Sequence, residues 1–189
     1  MSDHRRFGPS RPATPADMGG VERLLAYEEI RQLASRYALA VDRRDLDALL
    51  ELFIDDVKVT REQRGRDALR EMFEGMLGKE RVSFLNIGCH VINILDRNHA
   101  AGTVYCFAEM GSPGSWDRQA IAYEDDYERR DGRWYFVRRN HQLIYGVDAQ
   151  VRPLDQPPAN WPDHQVGRGS LPDDWPTWQA FHDTTKAGA

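Results

Sequence analysis

From Val21 onward, apolar residues recur at intervals of three and four: Leu24, Tyr27, Ile30, Leu33, Ala34, Tyr37, Ala38 and Val41. That period predicts a helix with one buried face. The run "DRRD" breaks the stripe, and its Asp45 is a good N-cap for a second helix on which Leu46, Leu49, Leu50 and Phe53 share a face. "DDVKVT" reads as a short first strand, and "GRDALREMFEGML" as a third helix with Leu69, Met72, Phe73 and Met76 toward the core.

The period then changes to two. "RVSFLNIGCHVINIL", "AAGTVYCFAEM", "RQAIAYEDDYERR" and "RWYFVRRNHQLIY" read as long strands separated by the turn signals "DRNH", "GSPGS" and "DG". The two-residue link in "RRDGRW" makes at least the last two strands antiparallel. In the "RQAIAYEDDYERR" strand Ile121, Tyr123, Asp125 and Tyr127 alternate with Ala122, Glu124, Asp126 and Glu128, which leaves Asp125 on the apolar side. Helices followed by an antiparallel meander give an α+β fold, a curved sheet wrapped over helices.

Composition changes the picture at the two ends. Residues 1–20 hold three prolines and four Arg or His side chains without apolar periodicity, the texture of a flexible arm. The folded domain spans 21–148. Residues 149–189 form an extension with six of the ten prolines and three of the five tryptophans, Trp161, Trp175 and Trp178. Prolines oppose regular structure there, yet the indoles are costly to leave in water, so the extension is expected to pack on its own domain or on a neighbouring subunit.

The chain has 189 residues and a net charge of -5, with no Lys/Arg-rich run, so nothing favours nucleic acid. No segment reads as a signal peptide or membrane span, and a cytoplasmic protein is expected. Cys89 and Cys106 are too far apart for a CxxC motif, and buried reduced thiols are expected. There is no HxH or HxxxH pair, no GxSxG elbow, no Walker loop and no dinucleotide fingerprint, so neither a metal nor a cofactor is expected.

Three stretches, "YALAVDRRDLDALLELFIDDV", "GRDALREMF" and "YEDDYERRDGRWYFVRR", resemble in order and spacing the SnoaL-like group of the nuclear transport factor 2-like superfamily. The likeness runs from about Glu22 to about Asp148. That group is similar in layout to the polyketide cyclases, scytalone dehydratase, bile acid 7α-dehydratase and hexachlorocyclohexane dehydrochlorinase. The resemblance implies a cystatin-like, cone-shaped barrel over three N-terminal helices, with a deep apolar pocket. It also implies a cofactor-independent lyase or isomerase acting on a small apolar, cyclic or aromatic molecule, and a homodimer or homotrimer. Since the superfamily holds transport factors and oxygenase small subunits too, a non-catalytic binding or assembly module is the alternative.

In several such lyases a Tyr and an Asp near the end of the first helix, spaced as Tyr37 and Asp42 are, work with a His on the following long strand. The likeness places that His at Asn86, and an amide cannot take the proton. Two repairs are open. His90 lies an even number of residues on, so in an unbulged strand it shares a face with Asn86 and can supply the imidazole. Alternatively Asp42 is itself the base, its pKa raised by an apolar pocket.

Tyr37, Asp42 and His90 are therefore the expected catalytic residues, with Asn86, Tyr105, Tyr123, Asp125 and His141 as substrate contacts. Each has a plainer role open to it. Asp42 can solvate the helix end; Tyr37, His90 and His141 can be hydrogen-bonded core residues; Asp125 can pair with Arg139 across the hairpin.

Overall fold

The computed structural model describes residues 18–112, 114–159, 167–169 and 174–187. Helix α1, Gly20–Arg43, buries Ile30, Leu33, Ala34, Tyr37, Ala38 and Val41, the predicted stripe, while Leu24 at its start stays outside. It stops because Arg44 turns left-handed, φ 57°, and its N–H caps the Ala40 and Val41 carbonyls. Asp45 then caps α2, its carboxylate accepting the Ala48 N–H at 3.1 Å.

Helix α2 is only Leu46–Leu50, shorter than the sequence suggests. Beyond it the chain runs alongside a strand instead: the Ile54 N–H donates to Phe136 O, and the Phe136 N–H to Leu52 O. "DDVKVT" forms no strand, only a single bridge between Lys58 and Arg64. Helix α3, Arg66–Leu77, turns Leu69, Phe73 and Leu77 inward.

Strands β1 (Val82–Ile94), β2 (His99–Ser112), β3 (Ser115–Arg130) and β4 (Arg133–Asp148) form one antiparallel meander in the order β1-β2-β3-β4. Asp131 and Gly132, both at positive φ, make the tight β3–β4 turn that the dipeptide predicts. The sheet curls over the helices without closing, so the expected barrel is an open one, with β1 and β4 left as edges. Bulges add twist: one lies between Ile87 and His90 of β1, and two interrupt the β3–β4 ladder. The alternation along β3 is as read, with Ile121, Tyr123, Asp125 and Tyr127 all buried. Between sheet and helices, Tyr37, Phe53, Phe73, Tyr123, Tyr127 and Phe136 pack edge to face and tilted into an aromatic centre.

Of the C-terminal extension, a 3₁₀ turn at Pro153–Asp155 and helix α4, Pro176–Ala187, are described. Helix α4 docks where α1 ends and β1 begins: Thr177 Oγ1 donates to Arg43 O at 2.8 Å, Trp178 Nε1 to Arg81 O at 2.9 Å, and Phe181 enters the core. Trp161 lies outside the described residues, as does the flexible-arm reading except at its last positions. There Met18 is buried in the core rather than free. Among the described residues no helix is long and apolar enough to cross a membrane.

Candidate active site

A cavity of about 980 Å³ opens between the concave face of the sheet, α1 and α3. Its size is at the upper end for a bound small molecule. Most of the wall is apolar, from Val41, Phe53, Val57, Leu69, Phe73, Leu77, Leu85 and Ile121. Met72 and Met76, read from the sequence as core, are 42% and 48% exposed because they face this space, and Met110 joins them. Flexible thioethers give the wall some adaptability.

Three of the predicted residues line the cavity: Tyr37, Tyr123 and His141. Neither phenol has a hydrogen-bond partner among the described residues, and neither hydroxyl is sealed from the cavity. Burial pushes the Tyr37 hydroxyl up to about 12 and raises that of Tyr123 as well, so both remain protonated donors near neutral pH. His141 stands edge-on to the Tyr123 ring at 5.5 Å, and partial burial lowers its pKa, which favours the neutral imidazole.

Asp42 is 4% exposed but sits behind the wall rather than in it. One carboxylate oxygen accepts from Ser83 Oγ and the other from the Leu85 N–H, both at 3.1 Å. Burial, only partly offset by these two bonds, pushes Asp42 up to about 6. Ser83 Oγ also accepts from Arg44 Nη1 at 2.7 Å, and Ser83 lines the cavity. Asp42 therefore reaches the cavity only through the Ser83 hydroxyl. The left-handed turn at Arg44 is what folds its guanidinium underneath, where it holds Val41 O, Ser83 Oγ and Glu80 O. Burial lowers Arg44 to about 10, still cationic at neutral pH.

His90 and Asp42 belong to different networks. The extra residue in β1 between Ile87 and His90 switches the parity of the strand. Ser83, Leu85 and Ile87 face inward before the bulge, and His90, Ile92 and Ile94 after it. Asn86, alternating with Ser83 and Leu85, points outward with Phe84, opposite exposed Phe107, and the bulge leaves it sharing no face with His90. Neither Asn86 nor Tyr105, which is 53% exposed on the outer face, belongs to the cavity.

His90 Nε2 lies 3.1 Å from Tyr127 Oη, whose one proton goes to Asp125 Oδ2 at 2.8 Å. His90 must therefore carry its hydrogen on Nε2. Burial pulls its pKa down to about 4, with the Asp125 charge opposing. Asp125, directly across from Arg139 in the β3–β4 ladder, is 0% exposed and takes Arg139 Nε at 2.9 Å and Nη2 at 2.7 Å. The ion pair is thus the role the structure gives it. Burial acts to lower the Arg139 pKa, and the Asp125 charge and hydrogen bonds more than reverse this. The remaining nitrogen, Nη1, has no hydrogen-bond partner. The guanidinium lies 4.3 to 4.5 Å from the ring centres of Tyr123, Tyr37 and Phe136, whose electron-rich faces hold it. The pairing of Arg139 with Asp125 was expected from the sequence; its place against both cavity phenols, and the Ser83–Arg44 pair, were not. A signal for Arg139 was its register opposite Asp125; none marked Arg44, whose role depends on a backbone conformation.

Residues 22–140 match the family model described as SnoaL-like domain. Among curated proteins none matches this sequence significantly. A scytalone dehydratase candidate of Novosphingobium aromaticivorans superposes with a TM-score of 0.62 at 21% identity, over 71% of this chain and 94% of that one. The hexachlorocyclohexane dehydrochlorinase LinA-type3 of Novosphingobium barchaimii gives 0.65 at 19% identity, over 70% and 95%. A protein of unknown function from Nostoc punctiforme, solved as a cystatin-like fold, gives 0.53 at 18%, over 67% and 93%. At these identities the likeness is one of fold, and together with the family match it shows that this chain belongs to the SnoaL-like family.

Proposed function

We propose that the chain is a cofactor-independent enzyme of the lyase or isomerase type, acting by acid/base chemistry on a largely apolar, cyclic or aromatic molecule held in the cavity. The observation that carries this reading is the cluster of two unpartnered phenol donors over a buried guanidinium, with a neutral imidazole at the same surface. Tyr37 and Tyr123 donate to a substrate oxygen as negative charge develops on it, a role worth about 10²-fold per well-placed donor. Arg139, ion-paired to Asp125, holds the two phenol rings in place through its contacts with their faces. His141 removes the proton, and elimination of an adjacent hydroxide or halide, or migration of a double bond, follows from the same arrangement. The names of the two fold neighbours, a dehydratase and a dehydrochlorinase, agree with this class. Asp42 tunes the wall through Ser83 rather than touching the substrate.

Screening apolar alcohols and halides for water or halide release tests the reading. With a turned-over compound in hand, His141→Gln and Tyr123→Phe are each expected to lower kcat about 100-fold with the fold intact. Full turnover by His141→Gln removes His141 as the base.

The non-catalytic module stays as a second reading because of one observation: among the described residues no carboxylate–imidazole pair meets at the cavity, since Asp42 bonds Ser83 and Leu85 while His90 bonds Tyr127. Under that reading compounds bind and none reacts. Under either reading we place the protein in the cytoplasm as a homodimer or homotrimer joined through the outer sheet face. There Phe84, Tyr105, Phe107, Tyr145 and Val147 are each more than half exposed. Sedimentation equilibrium showing a monomer at micromolar concentration contradicts the assembly.

A further inference from the structure

Among the described residues, two of the cations around the cavity are held by carboxylates. Arg139 is bound to Asp125, and Arg138 faces Asp126 at 3.8 Å. Glu80, a carboxylate of the lining, is near enough to buried Arg44 to raise its pKa, and Arg44 bonds the Glu80 backbone carbonyl, but one Glu80 carboxylate oxygen is buried without a hydrogen-bond partner among the described residues. Among the described residues two lining cations are left, Lys58 and Arg61, both on the segment that follows α2 and both solvent-accessible. Neither has an ion-pair partner among the described residues.

The acids beside them in sequence are engaged elsewhere. Asp55 pairs with Arg66 on α3 at 2.9 Å, and Asp56 with Arg130 at the β3–β4 turn at 2.6 Å. Glu62 does not line the cavity. The segment thus spends Asp55 and Asp56 on partners elsewhere while Lys58 and Arg61 line the cavity, in a chain whose net charge is -5. Like-signed charges beside a low-dielectric wall raise the local concentration of the opposite ion.

We infer that the molecule taken by this cavity carries an anionic group, a carboxylate of its own or the phosphate of an attached carrier, that meets Lys58 and Arg61 while its apolar body fills the space behind. This rests on the reading of the cavity as a small-molecule site and names the chemical class of its substrate. The cavity volume of about 980 Å³ leaves room for both parts. Arg and Lys suit the two jobs differently: the guanidinium takes two anion oxygens at once, and the ammonium adds a point charge.

The test is a titration of the full chain, by calorimetry or naphthalene fluorescence, with three probes sharing one ring system: 2-naphthoate, 2-naphthyl phosphate and neutral 2-naphthamide. At least one anion is expected to bind about fivefold to tenfold more tightly than the amide, the size two partly desolvated cations supply. The preference should shrink as salt is raised. Lys58→Gln/Arg61→Gln is expected to abolish it while leaving amide binding unchanged. Preference for the naphthoate points to a free acid, and preference for the phosphate to a carrier-linked substrate. Equal affinities, absence of anion binding, or a preference that the double variant keeps overturns the inference. Because the probes do not react, that failure would leave the acid/base reading standing, and a non-catalytic cavity could still pass.

Discussion

Among the described residues two carboxylates are buried, and their surroundings give them different chemistry. Asp125, 0% exposed, receives both bonds of a side-on guanidinium and the Tyr127 hydroxyl. Asp42, 4% exposed, receives one hydroxyl and one backbone N–H, and the nearest guanidinium reaches it only through Ser83. Burial with a full ion pair makes a lock between two strands. Burial with two neutral donors and a cation set back behind Ser83 leaves a carboxyl displaced to about 6, where it can gain or lose a proton under ordinary conditions. The lock sits under the cavity phenols and the displaced carboxyl sits behind the cavity wall, so the contrast is also a division of labour around one site.

The largest expected effect breaks the lock. Arg139→Met leaves Asp125 buried without its partner and is expected to cost about 3 to 5 kcal/mol of stability by urea unfolding, most of it recovered in Asp125→Asn/Arg139→Met. A loss below 1 kcal/mol would mean that the two carboxylates are held alike.

The pH dependence comes next in size, and its sign differs between groups. The folded state raises the Asp42 pKa, so it favours the protonated form: stability tied to Asp42 grows as pH falls from about 6 to the ordinary carboxylate range, by about 2 to 3 kcal/mol at most. His90 is lowered to about 4, and its contribution is lost as pH falls from the ordinary histidine value through that range, by about 2 kcal/mol after allowance for its partial exposure. The two slopes oppose each other, so the wild type is expected to change little between pH 7 and 4. Asp42→Asn should then lose stability on acidification, and His90→Gln should gain it. Denaturant midpoints at the two pH values separate them, and parallel behaviour of the two variants would count against both assignments.

Smaller effects grade the donors. Ser83→Ala removes a bond that lowers the Asp42 pKa, so it should drive that carboxyl further up and cost roughly 1.5 to 2 kcal/mol. Tyr127→Phe removes a donor from a carboxylate that keeps its guanidinium, and about 1 kcal/mol is expected. Should Tyr127→Phe prove the more damaging, the ion pair is not what holds Asp125.

Much of this arrangement was legible in the sequence wherever a period or a pairing expressed it. The stripe from Ile30 to Val41, the Asp45 cap, the Asp131–Gly132 turn and the inward side of β3 follow from local spacing, and the Asp125–Arg139 pair from register across a two-residue hairpin. The site was less so. A single extra residue near Gly88 and Cys89 turned His90 inward beside Tyr127, opposite to the face of Asn86; a glycine inside a strand is the local sign of such a bulge, but it does not fix where the register shifts. Met72 and Met76 read as core because periodicity reports which residues face inward, not whether the interior is filled there. Asp42 was found from its place on the helix and a family likeness, but the hydroxyl between it and the cavity comes from Ser83, forty-one residues away.

The most direct measurement of the difference between the two carboxylates is a ¹³C NMR pH titration of the Asp side-chain carboxyls, with the Asp42 signal assigned by its loss in Asp42→Asn. A midpoint near 6, moving upward in Ser83→Ala, is the predicted result. A midpoint at or below the ordinary carboxylate value, unchanged in Ser83→Ala, would contradict it.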